Sequence, residues 1–286
     1  RFDEEVNITW ASRLEEVGAH VVYGVVGHKT HAKMALVVRR EDSEQGMVLK
    51  RYVHLGTGNY HPRTARQYTD FGLLTSNQEV CADVNEVFKQ LTGLGRAGKM
   101  RHLWVSPFTM HKNIISAIRN EVQLANAGKK AHIIAKMNSL LEPAIIRELY
   151  AASGAGVRIE LVVRGVCGLK PGIKGLSENI RVCSIVGRFL EHHRIFYFGN
   201  DGAEDVYLAS ADWMERNFFR RIELCFPVLD PALKRSVVRE GLLPCLADNV
   251  RSWEMKSDGS YERQPPRRGR KRSAQEELLF TLATPA

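Results

Sequence analysis

Gly27-His28-Lys29-Thr30-His31-Ala32-Lys33-Met34 runs into Ala35-Leu36-Val37-Val38, and the reading of this stretch decides the fold. The apolar run is rich in strand formers, so Ala32–Val38 is expected as a strand. A strand turns alternate side chains to one face. Lys29, His31 and Lys33 then line up together, with Thr30, Ala32 and Met34 facing the other way. A histidine between two lysines suits a phosphate group. The lysines attract the anion and depress the imidazole pKa, which keeps the ring neutral and nucleophilic. On spacing alone the plainer reading wins, a solvated strand edge with a chance histidine, because three polar residues are a weak signal.

A second copy changes the balance. Arg188-Phe189-Leu190-Glu191-His192-His193-Arg194-Ile195-Phe196-Tyr197-Phe198 repeats the pattern, with His192 and Arg194 on one face and an apolar run behind. Gly18–Gly24 precedes the first copy, and Gly156–Arg164 precedes the second with a longer insertion. A small-residue turn follows each: Gly56-Thr57-Gly58-Asn59 and Ala209-Ser210-Ala211-Asp212. A whole unit occurring twice in the same order is harder to reach by accident than any single motif. His28 and His193 alternate to the wrong face and are expected to be structural or solvated. His20, His61, His102, His111 and His132 lack partner spacing.

The chain has 286 residues, 44% of them hydrophobic, enough for one large domain or two ordinary ones. No apolar run is long enough to span a bilayer. The sequence starts at Arg1 with no signal peptide, and Arg1–Glu5 reads as the run-in to a helix, so a fragment is expected. Five scattered cysteines without a Cys-x-x-Cys spacing fit reduced thiols and a cytoplasmic setting, with peripheral membrane association left open. The net charge of +9 fits a polyanionic partner.

In chain order, a helix is expected over Asp3–Val17, strands over His20–Val26 and Ala32–Val38, a charged loop over Arg39–Met47 and a strand over Val48–Leu55. The Gly56–Asn59 turn offers backbone N–H groups to an anion. Arg63, Arg66 and Tyr68 follow it closely. After an amphipathic helix over Val80–Leu94, Gly93–Met100 nearly matches a phosphate-binding loop. It follows a helix rather than a strand, and Met100 replaces the required Ser/Thr, so it reads as a linker. The organisation is 1–98 (a first domain, incomplete at its start), 99–250 (a second domain) and 251–286 (a basic, mobile tail). In the second domain Asn138-Ser139 caps a helix, Val157–Val163 is a buried strand delivering Arg164, Ile222–Val228 closes the sheet and Pro231–Ala247 is a helix.

The doubled His-x-Lys/Arg pattern, each copy followed by a small-residue turn, resembles the phospholipase D superfamily. Within it, RFDEEVNITWA, GHKTHAKM, HLGTGNY with TARQYTDFGLLT, LYAASGAGVRIELVVRGVCGL, SIVGRFLEHHRIF, and YLASADWMERN with RRIE resemble the bacterial polyphosphate kinases, over nearly all of Arg1–Ala247. The resemblance implies an α/β fold of two phospholipase-D-like repeats, each a mixed β-sheet flanked by helices, and a C-terminal catalytic fragment. It also implies reversible transfer of the ATP γ-phosphate to inorganic polyphosphate through a phosphohistidine, with Mg²⁺ as cofactor and a homo-oligomeric full-length enzyme. By motif, His31 matches the phosphorylated histidine and His192 the second histidine at the nucleotide. Tyr68 and Arg164 match nucleotide-contacting positions. Lys33 and Arg194 are phosphate-binding candidates because they share a face with the histidines. Arg1 matches a position at the magnesium site. Guanidinium has no lone pair to offer, so Arg1 is read as a clamp on metal-bound phosphates. The superfamily pattern places an Asp five residues after the lysine; Val38 and Gly199 stand there, which speaks against diester hydrolysis and nucleic acid. Two rival readings stay open: a phospholipase-D-like phosphodiesterase and a catalytically silent polyanion-binding module.

Overall fold

A computed structural model describes residues 4–44, 46–93, 98–263 and 270–283. The first repeat contributes α1 (Glu4–Glu16), β1 (Lys29–Thr30), β2 (Lys33–Ser43), β3 (Gly46–Gly56), α2 (Pro62–Ala65), β4 (Tyr68–Thr69), β5 (Gly72–Thr75) and α3 (Gln78–Leu91). The second begins with β6 (Trp104–Ser106), α4 (Met110–Asn126), β7 (His132–Met137), α5 (Pro143–Gly154), β8 (Arg158–Val163), β9 (Ile180–Ile185), β10 (Leu190–Glu191) and β11 (Arg194–Phe198). It continues with β12 (Asp205–Ala209), α6 (Glu215–Phe219), β13 (Arg221–Pro227), α7 (Pro231–Val237), α8 (Leu243–Ala247), β14 (Ser252–Met255), β15 (Tyr261–Arg263) and α9 (Ala274–Ala283).

The large sheet runs β1-β13-β12-β11-β7-β8-β9-β14-β15, with β6 also on β13. Its centre, β7-β8-β9, is parallel and buried on both faces, which is why these segments read as near-continuous apolar runs. The strand period then splits the core in two. Ile133, Phe196 and Phe198 face α4 and α5, where Met110, Ile114, Ile118, Ile145 and Leu149 pack. Ile134, Ile195, Leu208, Leu224 and Phe226 face the first repeat, meeting Val53 and Leu55 of β3 and Val80, Val84 and Val87 of α3. The two repeats therefore share the second of these apolar cores, while the first belongs to the second repeat alone. The first repeat adds the antiparallel sheet β2-β3-β5.

Helix starts follow side-chain chemistry. Asn77 caps α3 by accepting from the Glu79 and Val80 amides. Glu142 caps α5 by accepting from the Ile145 amide, with Pro143 opening the helix, so the expected Asn138-Ser139 cap is corrected. Asn138 belongs to the site instead.

Other expectations are corrected too. Residues 20–26 form no strand; they have no ladder partner, and Gly24 and Gly27 take positive φ. Residues 39–43 and 46–47 belong to an eleven-residue hairpin ladder, not a loop. Both faces of that ribbon meet water near its tip, so Arg39, Glu41 and Lys50 sit in strand without a burial cost. The expected Pro231–Ala247 helix is split by a π-type turn over Val238–Leu242. β13 is interior, because β1 of the first repeat adds beyond it. The described part of the expected mobile tail is folded: β14 pairs with β9, β15 extends the sheet, and α9 docks on the body. Long-range backbone pairing orders this polar stretch, and local composition carries no sign of it. Part of the basic run, residues 267–269, lies outside the described residues, as do Arg1 and residues 94–97 of the Gly93–Met100 linker.

Candidate active site at the junction of the repeats

Two very short parallel pairings bring the repeats together. β1 lies beside β13, with Thr30 opposite Ile222. β10 lies beside β4, with Glu191 opposite Thr69. Each histidine segment is thus seated on a strand of the other repeat, and that strand supplies a carboxylate.

His31 donates its backbone amide to the Ile222 carbonyl, and its Nδ1 lies 2.8 Å from Glu223 Oε2. Glu223 is fully buried. Ser210 Oγ donates to the same Oε2 and Asn217 Nδ2 donates to Oε1 at 2.6 Å. A carboxylate facing Nδ1 fixes the proton there, which leaves Nε2 as a lone pair. Among the described residues Nε2 has no hydrogen-bond partner, and the side chain keeps 24% exposure.

His192 is built the same way. Its Nδ1 lies 2.8 Å from Asp70 Oδ1, and Thr57 Oγ1 donates to that oxygen at 2.6 Å. The correspondence extends to the backbone. Thr57 N donates to Phe71 O while Phe71 N donates to Thr57 Oγ1; Ser210 N donates to Leu224 O while Leu224 N donates to Ser210 Oγ. Both hydroxyls precede their carboxylates by 13 residues. Burial alone raises the Asp70 carboxyl, but the bonds from His192 and Thr57 outweigh it and hold the group below its ordinary range. Burial lowers the His192 pKa, reinforced by Arg194 and Lys33 and partly offset by Asp70, so the ring is neutral at pH 7.

The cations break the symmetry. Lys33 Nζ donates to the His31 carbonyl, and Arg194 donates to the His192 carbonyl at 2.8 Å. Arg194 also reaches His192 Nε2 at 3.0 Å, so the second histidine is engaged at both nitrogens and the first at one. Buried Asp212 anchors Arg194 through Nε at 3.1 Å and accepts from the Asn138 amide at 2.7 Å. Burial lowers Lys33 to about 8, with Glu223 opposing and Arg194 adding to the effect.

The structure brings together His31, Lys33, His192, Arg194, Tyr68 and Arg164. Tyr68 sits against His192, ring centroids 4.9 Å apart. Arg164 bonds Asn138 Oδ1, and its buried Nε has no partner among the described residues. Arg1 lies outside the described residues. The flanks of the two histidines differ: two positions before them, Lys29 pairs with Arg221, whereas Leu190 pairs with Tyr68. The turn glycine has a reason other than cradling an anion. A Cβ on Gly58 would lie 2.2 Å from Asp70 Oδ2, so the bare backbone makes room for the carboxylate.

Sequence reading missed Asp70 and Glu223. The available signal was their equal spacing, fourteen residues after Gly56 and Ala209, within the quoted TDFG and RRIE segments. His193 is buried behind the site and His28 is half-buried. Among the described residues no cluster of three His, Cys, Asp or Glu side chains can hold a metal ion. No helix among them is long and apolar enough to cross a membrane.

Two family models cover the chain: polyphosphate kinase C-terminal domain 1 over residues 1–97 and C-terminal domain 2 over residues 103–275. A polyphosphate kinase of Paraburkholderia phytofirmans is 64% identical over 98% of this chain and 40% of its own length. One from Burkholderia lata is 65% identical over 92% of this chain and 38% of its own. The crystal structure of polyphosphate kinase from Porphyromonas gingivalis superposes with a TM-score of 0.90 at 35% identity, covering 97% of this chain and 42% of that one. The chain therefore spans about two fifths of the length of these relatives. The crossed histidine–carboxylate pairs, the shared core and these matches lead to one conclusion: the chain belongs to the polyphosphate kinase family, of which it carries the two C-terminal domains.

Proposed function

We propose that this site passes a phosphoryl group between ATP and the end of inorganic polyphosphate through a phosphohistidine on His31. The observation that carries the assignment is the open Nε2 of His31, backed through Nδ1 by fully buried Glu223. His192 lacks this freedom, because Arg194 occupies its Nε2.

In the forward step the His31 Nε2 lone pair attacks the γ-phosphorus, and the bond to the β,γ-bridging oxygen breaks, its electron pair leaving with ADP. The Nδ1 proton stays and faces Glu223, which stabilises the charge that develops on the ring. A terminal polyphosphate oxygen then attacks the phosphorus, and the P–N pair returns to Nε2. Lys33, Arg194 and Arg164 lie around the transferring oxygens, and the unpartnered Arg164 Nε is a donor left for one of them. His192, protonated at Nδ1 toward Asp70, offers Nε2 as an acceptor for a phosphate proton once Arg194 turns to the anion.

The pairs flanking the histidines give the site a direction. Tyr68 and Leu190 beside His192 suit a nucleoside. Lys29 pairs in register with Arg221 beside His31; Arg221 lies 4.0 Å from Glu223, while exposed Lys29 adds a positive charge at the surface there, which suits the polyphosphate chain. Mg²⁺ enters this reading only as a counter-ion of the nucleotide phosphates. The carboxylates of the site are already taken by histidine, hydroxyl, amide and guanidinium donors, so they do not fit a protein-built metal site. Val38 is half-exposed on β2 and Gly199 packs on His132, so neither position offers the carboxylate of a diesterase.

The test is synthesis of ATP from ADP and polyphosphate by the wild type beside His31→Ala and His192→Ala. Loss in His31→Ala supports the reading, and retained synthesis there overturns it.

A further inference from the structure

His192 directly follows β10, a strand of two residues that among the described residues pairs only with the two residues of β4. So short a ladder cannot fix a side chain by itself. Among the described residues the segment has no strand on its other edge. That edge is met by one side chain from the far end of the chain, Gln275 at the head of α9. Phe189 N donates to Gln275 Oε1 at 2.9 Å, and Gln275 Nε2 donates to Phe189 O at 2.9 Å. The carboxamide thus pairs with both backbone groups of Phe189, as a further strand residue would. The same Nε2 donates to Glu191 Oε1 at 2.6 Å. Glu191 Oε2 in turn accepts from Lys136 Nζ at 2.6 Å and from Thr69 Oγ1 at 3.2 Å. Thr69 Oγ1 also accepts from the His192 amide at 3.1 Å, and Thr69 precedes Asp70, the partner of His192 Nδ1.

The contact is a built one. Gln275, Glu191 and Lys136 are all buried. A Cβ on Gly187 would come within 2.4 Å of Gln275 Oε1, so the loop before β10 is bare where the carboxamide enters. The start of α9 is itself tethered: Ala274 N donates to Asp248 Oδ2 at 2.8 Å, and Asn249 exchanges bonds of 3.0 and 2.9 Å with the backbone of Arg272. None of these residues touches the transferring phosphoryl group in the mechanism above.

We infer that Gln275 is a positioning residue: it holds the strand that presents His192 to Asp70 and Arg194, and thereby sets the place of the second histidine. The role of that histidine rests on the proposed function, but its placement does not.

The experiment is an NMR titration of the protein with ring-labelled histidine, comparing wild type with Gln275→Met and using His192→Asn to assign the resonance. Methionine keeps the volume and the helix and removes all three hydrogen bonds. The groups facing His192 are Asp70, Arg194, Lys33 and the Tyr68 ring, and burial is the largest influence on it. A loosened β10 lets water in and takes the ring away from both cations, so the His192 midpoint rises toward the ordinary value of about 6.5 in the variant, while the His31 resonances stay in place. An unchanged His192 midpoint, or equal movement of His31 and His192, overturns the inference. If the variant does not fold, the wild type still decides. The Gln275 carboxamide protons and the Phe189 amide exchange far more slowly than exposed amides if the clamp exists, and exchange at exposed rates refutes it. Activity lost in His31→Ala but kept in His192→Ala would count against the proposed role of His192 and leave the clamp standing.

Discussion

Glu223→Gln isolates the electrostatic part of the proposed mechanism. The replacement is isosteric, and the pocket can accept it. The new amide oxygen takes the position facing His31 and Ser210, and its NH₂ then meets Asn217. Asn217 Oδ1 is buried without a partner, so a flip of that amide supplies the acceptor. What is lost is the charge. Attack through Nε2 makes the ring cationic while Nδ1 stays 2.8 Å from the carboxylate. Two unit charges about 4 Å apart at an effective dielectric of about 20 interact by about 4 kcal/mol. The neutral ring already gains about 1 kcal/mol from the ground-state hydrogen bond, and the exposed quarter of the His31 side chain screens part of the rest. The transition state therefore loses about 2–3 kcal/mol, or roughly 30- to 150-fold in rate. The assay is single-turnover labelling with γ-labelled ATP, quenched in base. Labelling at the wild-type rate would refute a role for the Glu223 charge.

Other consequences are as specific. Lys33 titrates at about 8, so its charge, and phosphate binding through it, declines as pH rises through that value. Lys33→Arg, which places in the first repeat the residue the second carries, keeps the charge and should flatten the alkaline limb of a phosphate-binding profile. An unchanged limb would assign it to another group. Lys29→Ala with Arg221→Ala should weaken polyphosphate binding and reduce its salt dependence while leaving nucleotide affinity within about twofold, since phosphate contacts carry the salt slope; a parallel loss of both affinities would contradict the proposed direction of the site. Lys136→Ala leaves buried Glu191 without its cation and should destabilise the fold by about 3–5 kcal/mol in chemical denaturation. A change below about 1 kcal/mol would mean the pair is not buried as described.

Much of the architecture was legible. The His-x-Lys and His-x-Arg strands, the small-residue turns and the buried run before Arg164 report themselves through period-2 patterning and repetition. The carboxylates did not, because each acts across the repeats. Asp70 serves His192 and Glu223 serves His31, 122 and 192 residues apart in the chain, and no local period joins partners at such distances. The same cause hid the folded C-terminal segment. Ser252–Met255 is too short for its alternation to stand out and becomes a strand because β9 offers it an edge, and Gln275 looks like any surface glutamine until Phe189 is placed beside it. The β2–β3 hairpin failed in the opposite sense. Its charged tip reads as loop, yet an uncovered two-stranded ribbon tolerates charge on both faces.

The central claim is that the phosphoryl group is carried on one nitrogen of one histidine. Phosphorylated protein, trapped in base after exposure to ATP, can be mapped by mass spectrometry and its linkage isomer assigned by NMR. The account predicts phosphate on His31 at Nε2, because Nδ1 is turned to Glu223. Phosphate on His192, or on Nδ1 of His31, would contradict it.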